Sequence, residues 1–267
     1  MTEELVLSEQ RGAVLVLTFN RPRVLNAWTN ELEDRYYDLL AAADEDPGVR
    51  AIVVTGSGRG FCSGADLGNL KNVGGVSESD LVRPRDRDFP TTIRKPLIAA
   101  VNGVAAGLGM VEALYCDVRF GSSAARFTTA FARRGLIAEY GISWMLPRLV
   151  GHSRAVDLLL SSRMVDADEA YRIGLIDHLV TGGDALDAAI AYAEDIAANC
   201  SPTSLSVIKS QMSADAHSTF TDSARRAESL MLNAFHGPDV VEGVNSHLEH
   251  RAPNFPSLSV RSSHVSV

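Results

Sequence analysis

Residues 60–67, with the sequence GFCSGADL, follow the apolar run IVVT at residues 52–55 and a glycine-rich turn. Residues 97–101, LIAAV, lead in the same way into the sequence AGLG at residues 106–109. Each pattern predicts a strand that ends in glycine-rich backbone at a helix N-terminus, where unpaired N–H groups and the positive end of the helix dipole are exposed. Taken singly, either segment also fits an ordinary strand-to-helix turn. If the two ends converge, they place two amide donors on one oxygen, which is the geometry that stabilises a developing oxyanion.

The residues around these segments predict an alternation of strands and helices. Apolar runs at residues 5–10 and 14–19 indicate a hairpin, and Thr29 can cap a helix that continues to Pro47. Further predicted elements are strands at residues 51–55 and 97–101 and a helix at residues 107–114. We therefore expect an α/β fold of stacked or wound βαβ units.

The second half of the chain is mainly helical in pattern. The predicted helices span residues 155–161, 168–173, 184–199, 203–213, 220–235 and 240–250, with a short strand at residues 175–180. We therefore expect a core in residues 1–200 and a helical C-terminal region in residues 201–267. Residues 69–90 show no clear period, which makes them the best candidate for a mobile segment.

Composition excludes several classes of protein. The 267 residues are 46% hydrophobic and 22% charged, with a net charge of −8. No stretch approaches the ~20 apolar residues of a membrane-spanning helix, and no long basic run favours nucleic-acid binding. The three cysteines are few and widely spaced, and the first residues lack the pattern of a signal peptide. We expect a cytoplasmic protein without metal, nucleic-acid partner or membrane insertion.

Four segments of this chain resemble the crotonase superfamily, also called the enoyl-CoA hydratase/isomerase family. They are NRPRVLNA at residues 20–27, FCSGADL at residues 61–67, AVNG at residues 100–103 with Gly107, Gly109, Cys116 and Asp117, and RAPNF at residues 251–255. The resemblance spans almost the whole chain. It implies a crotonase-like spiral of stacked ββα units, whose helical C-terminal region assembles a homotrimer or a dimer of trimers.

The resemblance also implies how an acyl-CoA would be bound. The backbone amides of Ala65 and Leu108 would donate to the thioester carbonyl, and a backbone donor does not depend on its side chain. The residues expected along the CoA and acyl groups are Arg23, Val24, Leu25, Ala27, Gly64, Asp66, Leu67, Val111, Phe131 and Trp144. For Arg23 a solvated surface charge is an equal alternative, and Asp66 can instead brace the helix after Ala65. No cofactor is expected, because coenzyme A is part of the substrate.

The choice of reaction depends on the acidic residues. Hydratases of the family hold water between two glutamates, and those positions are Val111 and Phe131 here. Glu112 lies one residue late, which turns its side chain by about 100° around a helix, so a structural role is favoured for it. Glu139 stands where double-bond-shifting members, such as the dienoyl-CoA isomerases, carry an acid. In an apolar cavity lined by Val111, Phe131 and Trp144, its pKa would rise toward neutrality.

Enoyl-CoA isomerisation with Glu139 as the single acid and base is therefore the leading hypothesis. A surface or capping role for Glu139 is the alternative for that residue. For the protein, enoyl-CoA hydration, another crotonase reaction and a catalytically silent CoA-binding scaffold remain open. Cys62 has no evident histidine partner and is expected to be a buried filler rather than a nucleophile.

Overall fold

The computed structural model describes residues 4–66, 68 and 82–261 of the chain. The strands are β1 (Val6–Arg11), β2 (Val14–Phe19), β3 (Ala51–Gly56), β4 (Gly60–Cys62), β5 (Leu97–Val101), β6 (Val104–Ala106), β7 (Val118–Ser122), β8 (Arg126–Thr128), β9 (Val165–Asp166) and β10 (His178–Val180). The α-helices are α1 (Asn30–Glu45), α2 (Leu108–Tyr115), α3 (Ile142–Val150), α4 (His152–Ser161), α5 (Ala167–Arg172), α6 (Ala185–Asn199), α7 (Pro202–Asp215), α8 (Phe220–Phe235) and α9 (Pro238–Leu248). Short 3₁₀ turns lie at Pro22–Val24, Phe89–Thr92 and Ala132–Arg134.

From β3 to β8, successive strands alternate between two sheets. The larger sheet has the order β1-β2-β3-β5-β7-β10 and the smaller one the order β4-β6-β8-β9. Thus β3, β5 and β7 each enter the larger sheet and are each followed by a short strand of the smaller sheet. Pairing is parallel along both series. Each turn of the chain therefore contributes one strand to each sheet, which is the spiral that the resemblance predicts.

The central strands are apolar because both faces of the larger sheet are covered. Every residue of β3 and β5 is buried, as expected for parallel strands between two layers. One apolar cluster packs this sheet against α6, through Ala189, Ile190 and Ala193. A larger cluster on the other side includes α1 and α2. The outer strand β1 pairs antiparallel with β2 and is mostly exposed, as a hairpin edge allows.

Both ends of helix α1 are capped by side chains. The Leu32 amide donates to Thr29 Oγ1 at 3.3 Å, which caps the helix as predicted. At the other end, the buried Lys95 ammonium donates to the carbonyls of Ala43 and Asp46, which satisfies groups that a helix C-terminus leaves open. The buried face of α1 adds Tyr36 to an edge-to-face aromatic cluster with Phe19 and other rings. This packing fixes α1 beside the site described below.

The helical end of the chain is attached to the core by side chains from both parts. Lys209 of α7 donates to Asp117 Oδ2 at 2.6 Å, and Arg50 donates to the Phe255 carbonyl at 2.6 Å. Many large apolar side chains on α7–α9 remain exposed, namely Ile208, Met212, Phe220, Met231, Leu232, Phe235, Val241, Val244 and Leu248. No helix within residues 4–66, 68 and 82–261 combines the length and apolar character needed to cross a membrane.

Candidate active site

The two glycine-rich segments lie side by side. Strands β4 and β6 pair in parallel, with Gly60 opposite Val104. A Cβ added to Gly109 at the start of α2 would lie 2.1 Å from the Cys62 carbonyl oxygen. A Cβ on Gly64, whose φ is +89°, would lie 2.7 Å from the Ala106 oxygen and 3.6 Å from the Leu108 nitrogen. Both residues must be glycine for backbone to touch backbone here.

The amides of Ala65 and Leu108 are free to donate at this junction. The Trp28 amide donates to the Gly64 oxygen at 2.8 Å and the Asp66 amide donates to the Trp28 oxygen at 2.9 Å. In this parallel bridge the intervening Ala65 amide points away from Trp28. Leu108 is the first residue of α2, so its amide has no acceptor within the helix. Neither amide donates to a backbone carbonyl among the residues that the structure describes. The predicted oxyanion hole therefore has two available donors on adjoining segments.

Asn26 ties the preceding loop to this junction, a role that the sequence motif did not reveal. Its side chain is completely buried, and Nδ2 lies 2.8 Å from the Gly60 oxygen, 3.0 Å from that of Ser57 and 3.1 Å from that of Phe61. Its Oδ1 accepts from the Arg21 amide at 2.8 Å. One side chain thus holds the loop of residues 20–27 against the end of β3 and against β4.

Asp66 braces the backbone beside Ala65. Its Oδ1 accepts from the Gly68 amide at 2.9 Å, and its Oδ2 accepts from Arg21 Nη2 at 3.0 Å. The Gly68 amide and then the Arg21 guanidinium lower the pKa of Asp66 below its usual value. Arg21 also donates to the Ala27 oxygen. These bonds commit both carboxylate oxygens to protein donors, and a direct contact of Asp66 with substrate stays a prediction.

Four of the residues expected to line the CoA path lie in the loop of residues 20–27. Arg23 and Val24 are exposed, Leu25 is half-buried and Ala27 is buried. The Ser63 amide donates to the Leu25 oxygen at 2.9 Å. This bond aligns the loop with the residues that lead to Gly64 and Ala65. Leu67, also expected to contact substrate, lies outside the described residues.

Val111 and Phe131 are core side chains at the positions expected for the hydratase glutamates. Both belong to the larger apolar cluster, and their exposures are 0% and 5%. Neither side chain can transfer a proton or hydrogen-bond a water molecule. The two positions at which the family's hydratases are expected to carry carboxyl groups are therefore buried and apolar in this chain.

Glu112 faces the α1 side of the core. It is 1% exposed, and the Tyr37 hydroxyl lies 3.3 Å from its Oε1, whereas Oε2 has no partner among the described residues. Burial, and next the nearby Glu33 carboxylate, raise the pKa of Glu112 well above its usual value. The direction of this shift favours the protonated form of a carboxyl inside the core, which agrees with the structural role favoured from its position on the helix.

Glu139 lies on the loop that enters α3 and is half-buried. Burial raises the pKa of its carboxyl, and the Arg87 guanidinium opposes that rise. The loop is anchored twice, because the Ile142 amide donates to the Glu139 oxygen at 3.1 Å and the Tyr115 hydroxyl donates to the Tyr140 oxygen at 2.9 Å. Tyr115 is the last residue of α2. The helix that begins with the Leu108 amide thus also holds the loop that carries Glu139.

Trp144 is partly exposed on α3. Its side chain is 41% exposed and lies between the Arg148 guanidinium, 3.7 Å from the ring, and the His217 ring at 5.3 Å. Among the described residues it does not belong to the apolar cluster that contains Val111 and Phe131. The expectation that Trp144 lines the acyl pocket together with Val111 and Phe131 stays a prediction.

The remaining candidates have structural positions. Cys62 is completely buried, and burial raises the pKa of its thiol to about 12, which suits a filler and not a nucleophile. The Leu97 amide donates to Asp117 Oδ2 at 2.7 Å, so Asp117 anchors the turn before β7. No group of three or more His, Cys, Asp or Glu side chains in the described part of the chain is arranged to hold a metal ion.

Comparison with known proteins identifies the family. The model of the enoyl-CoA hydratase/isomerase family matches residues 9–257. The chain belongs to that family. It is 34% identical over 260 residues to the 1,2-epoxyphenylacetyl-CoA isomerase of Escherichia coli (strain K12), covering 94% of this chain and 98% of that protein. A probable enoyl-CoA hydratase of Mycobacterium tuberculosis (strain CDC 1551 / Oshkosh) is 33% identical over 261 residues, covering 96% and 99%.

Solved structures of the enoyl-CoA hydratase/isomerase family share the fold. An enoyl-CoA hydratase from Mycobacterium tuberculosis H37Rv superposes with a TM-score of 0.88 at 31% identity, covering 96% of this chain and 100% of that one. A probable enoyl-CoA hydratase/isomerase from Mycobacterium abscessus gives a TM-score of 0.87 at 32% identity, covering 95% and 99%. The crotonase fold and membership of this enzyme family are therefore established, while both hydratases and an isomerase are among its relatives.

Proposed function

We propose that this enzyme shifts a double bond of an enoyl-CoA, with Glu139 as the acid and base and with the Ala65 and Leu108 amides as the oxyanion hole. One observation carries the proposal. Glu139 is a half-buried carboxyl on a loop fixed to α2, while Val111 and Phe131 fill the positions of the hydratase glutamates. The relative named as a 1,2-epoxyphenylacetyl-CoA isomerase supports a rearrangement of an acyl-CoA.

The proposed reaction needs one proton carrier. The ionised Glu139 carboxylate removes a proton from C2 of a 3-enoyl-CoA, and the electron pair of the broken C–H bond passes into the thioester as an enolate. The two backbone amides donate to the enolate oxygen, which carries the negative charge. Glu139 then returns the proton to C4, and the double bond comes to lie between C2 and C3. Atoms and charges balance without water or any cofactor besides the CoA of the substrate.

The environment of Glu139 suits this role. A general acid and base is most effective when its pKa lies near the working pH. Burial raises the pKa of Glu139 from that of an exposed carboxyl, so the proton is held more tightly after abstraction and can be returned. The apolar side chains of Val111 and Phe131 offer water no hydrogen-bond partner, which disfavours addition of water to the double bond.

Substrate binding is proposed to follow the loop of residues 20–27. Arg23 is exposed beside the segment that leads to Ala65, where its guanidinium can meet a CoA phosphate. Val24 and Leu25 would line the path of the CoA, and Gly64 leaves room for the thioester beside the two amides. Replacement of Arg23 by glutamine should raise KM for the CoA ester with little change in kcat.

The test compares Glu139→Gln with the wild type on a 3-enoyl-CoA and on crotonyl-CoA. The proposal predicts loss of isomerisation by about 10²-fold or more, since general acid–base catalysis contributes ~10²–10⁴-fold. Glu194→Gln on the exposed face of α6 is the matched control and should retain activity. Rapid hydration of crotonyl-CoA that survives Glu139→Gln would contradict the proposal and favour a hydratase. Tight acyl-CoA binding with no turnover would instead favour a silent scaffold.

Assembly into a homotrimer, or a dimer of trimers, is part of the same proposal. It is supported by the exposed apolar side chains of α7–α9. Three of them, Ile208, Met231 and Phe235, also line a cleft of about 1160 Å³ with Phe255. Light scattering on the eluted protein should give three or six times the monomer mass. A monomer at micromolar concentration would contradict it.

A further inference from the structure

Three arginines tie residues 83–87 to helix α1; this segment is called the arginine strap. Arg83 Nη2 donates to Asp34 Oδ1 at 2.6 Å, and Arg85 Nη1 donates to Asp38 Oδ1 at 2.6 Å. Arg87 pairs with Glu33. Every second residue of the strap therefore forms an ion pair with a carboxylate of α1.

Arg87 is held more firmly than an ordinary surface arginine. Its partner Glu33 is 1% exposed and also accepts from Trp28 Nε1 at 3.0 Å and from Arg83 Nε at 3.2 Å. The backbone oxygen of Arg87 accepts from the Tyr37 hydroxyl at 2.8 Å. The side chain and the main chain of Arg87 are thus both fixed to α1. The buried Glu33 carboxylate in turn requires donors such as Arg87.

The same guanidinium reaches the loop that carries Glu139. Arg87 Cζ lies 5.6 Å from the ring centroid of Tyr140, within the range of a cation–π contact. Tyr140 follows Glu139 directly, and its backbone oxygen accepts from Tyr115 at the end of α2. A chain of contacts therefore joins the buried acid Glu33 on α1, through Arg87, to the residue next to Glu139.

We propose that Arg87 is a positioning residue for Glu139: pinned by Glu33 and lying over the Tyr140 ring, it fixes the loop and sets the charge that the Glu139 carboxyl experiences. The inference rests on the proposed function of Glu139. Arg87 itself is not assigned a contact with substrate or with the transferred proton.

Other charged and titratable groups surround this contact. They are Glu33 and Tyr37 on α1, Arg83 and Asp88 beside Arg87, Glu112 and Tyr115 on α2, and Tyr140 on the loop itself. Glu33 is the main counter-charge to Arg87. Burial raises the pKa of Glu112 and so favours its uncharged form. Arg87 is the cation whose field lowers the pKa of Glu139.

The sign of the effect of removing Arg87 follows from electrostatics. A nearby positive charge favours the ionised carboxylate, which is the base that starts the reaction. Without the charge, the pKa of Glu139 rises, and a higher pH is needed to form the base. The acid limb of the pH profile of kcat/KM should therefore move to higher pH.

The experiment measures pH profiles of Arg87→Gln and of the matched control Arg85→Gln on a 3-enoyl-CoA. Arg85 lies on the same strap and pairs with Asp38 in an exposed position. The acid limb should move up by roughly half to one pH unit in Arg87→Gln, with a larger fall in kcat than rise in KM. It should stay in place in Arg85→Gln and return toward the wild type in Arg87→Lys. An unmoved acid limb in Arg87→Gln overturns the inference, as does an equal shift in Arg85→Gln.

A second variant covers the case in which Arg87→Gln does not fold. The double variant Glu33→Gln/Arg87→Gln removes both members of the pair, so no buried carboxylate is left without its partner, and Arg83 keeps its ion pair with Asp34. Its acid limb should also move to higher pH, because the cation is gone, and an unmoved limb overturns the inference here too.

The Glu139→Gln variant separates the two proposals. If it loses isomerisation while the Arg87 variants keep the wild-type acid limb, only the role of Arg87 fails. If it keeps full isomerisation, the proposed function fails, and the role of Arg87 fails with it.

Discussion

Replacing Gly109 by alanine should displace one donor of the proposed oxyanion hole. The added Cβ would lie 2.1 Å from the Cys62 oxygen and 2.7 Å from both its carbonyl carbon and its Cβ. Two of these atoms are backbone, so rotation of a side chain cannot relieve the contact. Carbon atoms pack at roughly 3.5–4.0 Å, so the start of α2 must retreat from β4 by about 1 Å or more.

The expected cost follows from that displacement. Leu108 precedes Gly109, so its amide moves with the helix and away from the substrate oxygen. Loss of one oxyanion donor lowers kcat by about 10²–10³-fold, and a displacement of about 1 Å can cost ~10²-fold. We therefore expect Gly109→Ala to lower kcat by about 10²-fold. Overpacking at such a junction should also lower the free energy of unfolding by about 1–3 kcal/mol.

The assay is steady-state conversion of a 3-enoyl-CoA, with acyl-CoA affinity measured separately by calorimetry. Gly182→Ala is the matched control, since an added Cβ there has no atom within 4 Å and its φ is not in the left-handed region. The control should keep the kcat of the wild type. A folded Gly109→Ala protein with wild-type kcat would refute the role given to the Leu108 amide.

Three further predictions concern buried groups. Because the pKa of Glu112 is raised, the native state keeps a proton that the unfolded chain releases above about pH 4.3. The contribution of Glu112 to the free energy of unfolding of the wild type therefore falls as pH rises. The fall is up to about 1.36 kcal/mol per pH unit until the native pKa is reached. Glu112→Gln should therefore become more stable relative to the wild type between pH 5 and pH 7 in denaturant titrations, and a constant difference would contradict this. Asn26→Ala should lower the free energy of unfolding by about 2 kcal/mol or more, because it removes the hydrogen bonds to buried carbonyls. Asn199→Ala, at an exposed position, should change it little. Equal melting temperatures of the two variants would contradict the role given to Asn26. A thiol reagent should modify Cys200 in the native protein while the buried Cys62 and Cys116 react only after unfolding, so rapid native labelling of a Cys200→Ser variant would show that this packing is wrong.

The longer elements were predictable from the sequence because their patterns run over many residues. The hairpin, α1, β3, β5 and most of the C-terminal helices were found within a few residues of their bounds. The strands of the smaller sheet were missed, since β4, β6 and β8 have three residues each and β9 has two. Strands of two or three residues are too short to show an alternation of apolar and polar side chains. They form because neighbouring turns of the spiral pair with each other. Helix α3, which contains Pro147, was also missed.

The local parts of the site were predictable, and its long-range contacts were not. Glycines at 64 and 109 in two strand-to-helix segments indicated converging backbone amides, and the structure brings those segments into contact. Nothing in the sequence indicated that Glu33, 54 residues from Arg87 in the chain, is its ion-pair partner. The stacking of Trp144 on His217 was not predictable for the same reason, since His217 comes from the C-terminal region.

The central claim is that the Ala65 and Leu108 amides together hold the thioester oxygen. Isotope-edited vibrational difference spectra of an acyl-CoA labelled with ¹³C at the thioester carbonyl test it most directly. Two strong donors polarise the carbonyl, so its stretching frequency should fall on binding to the wild type, and the fall should be smaller in Gly109→Ala. A bound acyl-CoA whose carbonyl frequency equals that of the free ester in water would contradict the account.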